Sequence, residues 1–276
     1  MRPEVHGHRG CRGSMPENTV PAFLHAAELG CDWLELDVVL TGDGQVLVSH
    51  EPWMSARICL TPAGDSLTQE QGRALNIYRM SLAEAQAFDC GSRPHPDFPE
   101  QHLQRHHKPT LREVVEAVEE HILMNGLSPV SYNIEIKSRP EWYGVYQPQP
   151  GEMTRTVLNE IDALGISERC LLQSFDPAIL EAAHVQDPNL LLALLVENED
   201  GLEKNLARLS FTPQVYSPWF PLVDARTARR LRELDISLVV WTVNDLADMQ
   251  RMVGLGVDGI ISDHPERVLE LLDARD

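Results

Sequence analysis

Two short apolar stretches carry ionisable residues at alternating positions. LELDVVL contains Glu35 and Asp37, and NIEIKS contains Glu135 and Lys137. Alternate side chains of a strand point to opposite faces, so these charged groups share the face opposite the aliphatic residues. A carboxylate in such a place is costly unless it is paired or bound to a metal. Because one lysine cannot neutralise three acids, we expect a divalent cation, Mg²⁺ or Ca²⁺; an internal salt-bridge network around Lys137 is the alternative.

Two histidines and an arginine accompany these acids. His8 and Arg9 lie in HGHRG, at the end of the first predicted strand, and His50 lies in VLVSHE. A pair of histidines suits general acid and base catalysis, and an arginine offers a fork for phosphate. A single histidine would more simply be structural. Ser14 and Glu17 have the spacing of a capping box, so we expect Glu17 to cap the first helix.

The segment TGDGQVLVSHE predicts a hairpin after the second strand, with its turn at Asp43 and Gly44. An even number of loop residues would set His50 beside Glu35 or Asp37 on the same face of the ladder. An odd number would turn His50 away.

Alternating strand and helix patterns predict the elements that must position these groups. Eight strands, most of them followed by a helix, favour a (β/α)8 TIM barrel, with its active site at the carboxyl ends of the strands; a doubly wound open sheet is the alternative. The predicted strands are EVHGHRG, 32–39, 130–137, 169–174, 190–196, 213–217, 236–242 and 257–261. The predicted helices are 15–29, 110–122, 152–164, 177–185, 224–234, 245–253 and 265–273.

Residues 51–109 interrupt this alternation with little periodicity. A connection of this length at a barrel mouth is typical of a lid or a substrate-binding insertion. We therefore expect one domain over 1–276, in which 51–109 is a cap over the mouth.

Composition limits the partners. The 276 residues carry 23 basic and 42 acidic side chains, a net charge of −19, which disfavours nucleic acid and anionic membranes. Stable membrane insertion is not expected, because a membrane helix needs about 20 consecutive apolar residues. The N-terminus lacks a signal-peptide pattern, so we expect a soluble cytoplasmic protein, or a periplasmic or secreted one if a signal has been removed. The five cysteines have no C-x-x-C spacing and are expected to be reduced. The sequence does not decide whether the protein forms a homo-oligomer.

Eight ordered motifs extend the pattern over nearly the whole chain: GHRG, PENT, ELDV, DGQVLVSHE, NIEIK, SFD, WTVN and GVDGIISDHPE. Together they strongly resemble the glycerophosphodiester phosphodiesterase family. The resemblance implies a TIM-barrel hydrolase that uses a divalent cation to cleave a glycerophosphodiester into glycerol 3-phosphate and an alcohol.

The resemblance also implies roles for individual residues. Glu35, Asp37 and Glu135 match the family's metal ligands, and His8 and His50 match its acid and base. Arg9 and Lys137 match phosphate-binding residues, while Trp241 matches an aromatic residue of the substrate pocket. The family commonly has His-Asp where this chain has His50-Glu51. That difference implies a small change in local hydrogen bonding.

The sequence leaves open both the identity of the nucleophile and the alternative activities. The nucleophile is either water or, as thought for the family, the 2-hydroxyl of the substrate's glycerol, which forms a cyclic phosphate. The alternative activities are a phospholipase D-like lyase acting on lysophospholipids, for which the insertion shows no clear apolar lip, and a metal-dependent sugar isomerase. The isomerase would give Arg9 no obvious task.

Overall fold

In this computed structural model, which describes residues 2–274, eight parallel strands close into a barrel because β1 pairs with both β2 and β9. The predicted (β/α)8 fold is confirmed, and the open sheet is excluded. The barrel strands are β1 Glu4–Gly7, β2 Trp33–Leu40, β4 Ser131–Ile136, β5 Cys170–Ser174, β6 Leu191–Val196, β7 Val215–Pro218, β8 Ser237–Val240 and β9 Gly259–Ser262.

Helices surround the barrel and cover its apolar outer face. In one of them, Met153, Val157 and Ile161 fall at helical spacing and are buried against the strands, each such side chain contributing about 1.5–3 kcal/mol. The helices are α1 Val20–Leu29, α2 Gln69–Ala74, α3 Leu82–Gln86, α4 Leu111–Asn125, α5 Pro150–Ala163, α6 Pro177–Gln186, α7 Leu202–Leu206, α8 Ala225–Glu233, α9 Leu246–Leu255 and α10 Pro265–Asp273.

The strands separate two environments. Leu34, Leu36 and Val38 of β2 belong to the main core between barrel and helices, as their alternation predicts. The intervening side chains face the barrel interior, where a small apolar cluster fills the centre. That cluster consists of Leu171, Ala193, Val215, Val239 and Ile261. The acids of β2 and β4 are therefore interior residues.

The first helix begins five residues later than expected. Its N-cap is Thr19, so residues 8–19 form a loop, and the predicted capping by Glu17 is wrong. A tight turn explains the shift. Gly10 has φ +86°, and a Cβ atom there would lie 2.6 Å from the backbone carbon of Ala22, so only glycine fits. Arg9 before it is also left-handed, with φ +50°, which is strained for a residue with a side chain.

The hairpin forms, but with the opposite parity to the one that would pair His50 with the acids. Strand β3, Val46–Val48, runs antiparallel to β2 with Leu40 opposite Val46, so the loop 41–45 has an odd number of residues. The amide of Ser49 donates to the carbonyl of Asp37 at 2.9 Å. The predicted ladder pairing of His50 with Glu35 or Asp37 is therefore wrong. His50 follows the end of β3 and leaves the sheet.

The segment 51–109 builds a small core of its own. Helices α2 and α3 lie in it, and both begin with a capping box. Its buried residues pack against Val39 and Leu47, which lie on the same face of the hairpin as Asp37, opposite the face that joins the main core. They are Met54, Ile58, Cys59, Leu67, Ile77, Ala85, Phe88 and Cys90. Local capping and a few apolar contacts hold this segment, which explains why it shows little sequence periodicity.

None of the helices within residues 2–274 is long and apolar enough to cross a membrane.

Candidate active site

Three carboxylates meet inside the barrel at the carboxyl ends of two neighbouring strands. The parallel register places Asp37 of β2 beside Glu135 of β4, and Glu35 lies one interior position below Asp37. One ligand oxygen from each residue lies within 4.8 Å of the others. Glu35 and Asp37 are each 1% exposed and Glu135 is 7% exposed. Strand register thus brings together all three predicted metal ligands.

The three buried carboxylates would be stabilised by additional positive charge. Burial, with Asp37 and Glu135 nearby, raises the pKa of Glu35 well above its ordinary value. Burial also raises the pKa of Glu135 to about 7, although Lys137 opposes the shift. Asp37 differs, because Arg9 and Lys137 overcome its burial and hold its pKa well below the usual range. Within residues 2–274, Oδ1 of Asp37 accepts no hydrogen bond, although Nζ of Lys137 lies 3.5 Å from it. A buried set of oxygen donors that includes such an atom fits a hard divalent cation.

Arg9 and Lys137 are shared among the carboxylates. Nζ of Lys137 lies 2.6 Å from Glu135 and 3.5 Å from Asp37. Nε of Arg9 lies 3.2 Å from Asp37, while its Nη1 donates to Glu17 at 2.8 Å. Arg12 lies 3.5 Å from Glu17 and also pairs with Asp263, so three cations accompany five carboxylates when these two acids are counted with the three ligands. A dication would balance the remaining charge.

His8 forms a buried dyad with an aspartate that the sequence reasoning left without a role. Nδ1 of His8 lies 2.6 Å from Oδ1 of Asp263, and its Nε2 lies 3.9 Å from Glu35. Arg12 and Asn244 donate to the same aspartate, which fixes its position. Burial lowers the pKa of His8 to about 4, against the opposing effect of Asp263. His8 is therefore neutral at pH 7 and held in one orientation.

His50 reaches the same mouth by a route other than the one predicted. It leaves the ladder after Val48 and lines the cavity that also contains His8, Glu135 and Lys137. Its Nδ1 lies 3.0 Å from Oε1 of Glu51, so the glutamate partners the preceding histidine directly. Burial, then Arg9 and Lys137, lower the pKa of His50. The hairpin loop has an odd number of residues, so His50 does not pair with the acids in the ladder, but it does lie at the barrel mouth.

Two cavities meet at these residues. The inner one, of about 230 Å³, lies over the carboxylates and contacts both histidines, Arg9 and Lys137. The outer one, of about 610 Å³, contacts His50 but not His8. Trp241, for which the family resemblance implies a place in the substrate pocket, lines both cavities, and its Nε1 donates to the carbonyl of Ser217 at 2.9 Å. A substrate with two unequal halves fits this arrangement.

An aromatic wall lines the outer cavity. Trp53, Trp142 and Tyr146 pack edge to face, with ring centroids 5.5–6.4 Å apart. The guanidinium groups of Arg73 and Arg139 lie over the two tryptophans at 5.5 and 5.3 Å. Trp53 and Arg73 come from the insertion. The sequence interpretation found no clear apolar lip in the insertion, and the insertion supplies one aromatic residue of this wall, while Trp142 and Tyr146 lie in the segment between β4 and α5.

Further residues support the site and were missed. Gln173 donates to Glu35 at 3.0 Å, and Asn18 donates to Asp37 at 2.9 Å. Glu17 is held by Arg9, as described above, rather than capping a helix. Asn18, Glu17 and Asp263 all lie in the quoted motifs PENT and GVDGIISDHPE. The motifs were thus a usable signal, whereas helix-start rules gave Glu17 the wrong role.

Comparison with known proteins decides the family. The sequence model of the glycerophosphoryl diester phosphodiesterase family matches residues 8–267. The chain belongs to this family. It is 30% identical to a glycerophosphodiester phosphodiesterase of Caldanaerobacter subterraneus subsp. tengcongensis, over 99% of this chain and 98% of that protein. The predicted family and enzyme class, a phosphoric diester hydrolase, are confirmed.

Two further proteins are similar to this member of the glycerophosphodiester phosphodiesterase family, one in its fold and one in its sequence. A Silicibacter pomeroyi DSS-3 structure, provisionally assigned as a glycerophosphoryl diester phosphodiesterase, aligns with TM-score 0.89 and 28% identity over 99% of this chain and 94% of that one. A lysophospholipase D of Mus musculus is 26% identical over 96% of this chain and 85% of that protein. The relatives of this chain are therefore named for different classes of phosphodiester substrate.

Proposed function

We propose that this protein hydrolyses glycerophosphodiesters to glycerol 3-phosphate and an alcohol with the help of a divalent cation. The observation that carries the proposal is the meeting of Glu35, Asp37 and Glu135 with Arg9 and Lys137 beneath the inner cavity. A cluster that binds a metal beside two fixed cations suits a phosphodiester, whose charge grows as the transition state forms. The family match and the Caldanaerobacter relative support this substrate class.

Glu35, Asp37 and Glu135 would hold the cation, Mg²⁺ or Ca²⁺, because all three offer oxygen ligands. When bound, the cation supplies Lewis-acid stabilisation of the phosphoryl oxygens. Arg9 and Lys137 bind the remaining phosphate charge. Gln173 and Asn18 keep two of the carboxylates oriented by donating to them. The protein thus prearranges charge where the reaction develops it.

The two cavities suggest which histidine is the base. The Asp263 pKa lies well below its usual range because of His8 and Arg12, despite burial, so the carboxylate accepts from Nδ1–H of His8 and leaves Nε2 free to take a proton. We assign His8 as the base that removes the proton of the attacking hydroxyl in the inner cavity. His50, which alone of the two lines the outer cavity, donates a proton to the departing alcohol oxygen as the P–O bond breaks.

A second activity has one observation in its favour. The outer cavity of about 610 Å³ and its aromatic wall fit a large apolar group, as a lysophospholipase D reaction would require. The related Mus musculus protein bears that name. In this reaction the same P–O bond would break, but the apolar acyl chain belongs to the glycerol half. That half would therefore lie in the outer cavity, which is the reverse of the orientation assigned above to a glycerophosphodiester. The family match decides against the sugar isomerase.

One product assay separates these possibilities. The chain is incubated with glycerophosphocholine, glycerophosphoethanolamine, glycerophosphoinositol, glycerophosphoglycerol and a lysophosphatidylcholine, and products are followed by phosphorus NMR. We expect glycerol 3-phosphate from at least one glycerophosphodiester. Turnover of the lysophospholipid alone would move the assignment to the lipid reaction. A cyclic phosphate that accumulates and then disappears would identify the glycerol 2-hydroxyl as the nucleophile. No turnover of any substrate with Mg²⁺ or Ca²⁺ would contradict the proposal.

A further inference from the structure

We propose that Cys59 and Cys90 form a redox site: a peroxide converts the two thiols into an intrachain disulfide, and a reductant restores them. Both cysteines lie in the segment 51–109, far from each other in sequence and buried in its small core. They are 0% and 3% exposed. All five cysteines are free thiols in this structure.

The backbone sets these two cysteines opposite each other. Leu60 and Asp89 exchange both backbone hydrogen bonds, at 2.7 and 3.2 Å, as an antiparallel pair. The next pair outward is Cys59 and Cys90, and the amides of both donate to other partners, as a non-hydrogen-bonded pair requires. In such a pair the Cα atoms lie about 4.5 Å apart, within the span of roughly 4.4–6.8 Å that a disulfide bridges. A bond can therefore form without moving the backbone far.

A buried lysine favours the reactive form of one thiol. Lys108 is 3% exposed. Burial works against its charge, yet the two thiols, followed by Glu51, raise the pKa of Lys108 above its ordinary value. Burial would raise the pKa of Cys59, but Cys90 and Lys108 together lower it, whereas burial and Cys59 raise that of Cys90. The pair thus combines one thiol of lowered pKa, suited to the first attack, with one of raised pKa, suited to the second.

The chemistry balances with one peroxide. The Cys59 thiolate attacks a peroxide oxygen, the O–O bond breaks, and a sulfenic acid and hydroxide form. The sulfur of Cys90 then attacks the Cys59 sulfur and expels a second hydroxide. The two hydroxides take up the two thiol protons as water. The protein loses two electrons, and hydrogen peroxide is reduced to two molecules of water.

A disulfide between Cys59 and Cys90 would restrain the insertion. It would close the stretch of chain that contains α2 and α3, next to the turn that carries Trp53. A cross-link over a loop of this length restricts the unfolded chain, so the oxidised protein should melt at a higher temperature. Cys170 is a matched control, because it is equally buried but belongs to the main core of the barrel, not to that of the insertion.

Peptide mapping of the full chain tests the proposal. Wild type is treated with hydrogen peroxide under native conditions, alkylated and digested. We expect a Cys59–Cys90 cross-linked peptide, loss of two of the five alkylatable thiols, and a melting temperature that rises and then returns with dithiothreitol. Cys170→Ser should behave as wild type, whereas Cys90→Ser should lose the cross-link and the melting shift. Five intact thiols after oxidation, or a disulfide that joins any other pair in the wild type, would overturn the proposal.

Discussion

The barrel mouth and the insertion position their side chains with different kinds of structure. At the mouth, the three predicted metal ligands lie on β2 and β4, where strand register fixes each side chain to within one position, whereas His8, Arg9 and His50 lie in loops that follow strands. In the insertion, Trp53 and Arg73 come from loops and a short helix, held by capping boxes and a small core. Under the proposed function, the cation would therefore be held by rigid strands, while the contacts to the alcohol would come from loops and a short helix, which are easier to vary.

Loss of His8 should have the largest effect on the chemistry of the mouth. His8→Ala is expected to reduce kcat by roughly 10² to 10⁴, the usual contribution of a general base. Steady-state kinetics on the best glycerophosphodiester measure this, and His25→Ala, at a half-buried position in α1, serves as the control. Near-normal turnover of His8→Ala in an enzyme that a chelator still inhibits would remove His8 from the mechanism.

Asp263 should act through His8 rather than on the substrate. Asp263→Asn keeps the shape but loses the charge that stabilises the imidazolium, so kcat should fall about 10- to 100-fold, as for other supporting partners of a site. The pKa seen in the pH profile of kcat/KM should also shift downward, since Asp263 now raises the pKa of His8. A fall in activity with an unchanged profile would point to a structural role alone.

How far the site was predictable follows from the same contrast. Alternation in LELDV and NIEIK was enough to identify three buried acids, because period two holds along a strand whatever surrounds it. The place of His50 depended on a single loop residue, and that parity cannot be read from a hairpin motif. Glu17 was misassigned because a local capping rule competes with an ion pair that exists only in the folded chain. The aromatic wall joins distant loops and left no periodic signal.

Changing the insertion should alter selectivity more than rate. Trp53→Ala removes one side of the aromatic wall, so KM for substrates with a large alcohol should rise about tenfold, in line with the loss of an apolar pocket contact. The KM for glycerophosphoglycerol should change little, because a small alcohol makes few contacts with the aromatic wall. Equal loss of kcat/KM for every substrate would break the proposed division between mouth and insertion.

The smallest expected effect concerns stability of the mouth in acid. Arg9 and Arg12 overcome burial and lower the pKa of Glu17 from 4.5 to about 2. The ionised form therefore stabilises the fold above about pH 4.5, and this stability is lost as the pH falls toward 2. Between pH 6 and pH 3.5, linkage makes the loss about 1 kcal/mol. Urea unfolding of wild type and Glu17→Gln at the two pH values measures it. An equal drop in both proteins would mean that Glu17 is not the group responsible.

Metal dependence tests the central claim most directly. Hydrolysis is measured after exhaustive chelation and during titration with Mg²⁺ or Ca²⁺, in wild type, Asp37→Asn and the remote surface variant Glu203→Gln. The account predicts that chelation abolishes turnover, that one divalent cation restores it in wild type and Glu203→Gln, and that Asp37→Asn is not restored over the same range. Full turnover of the chelated wild type, or normal metal titration of Asp37→Asn, would contradict it.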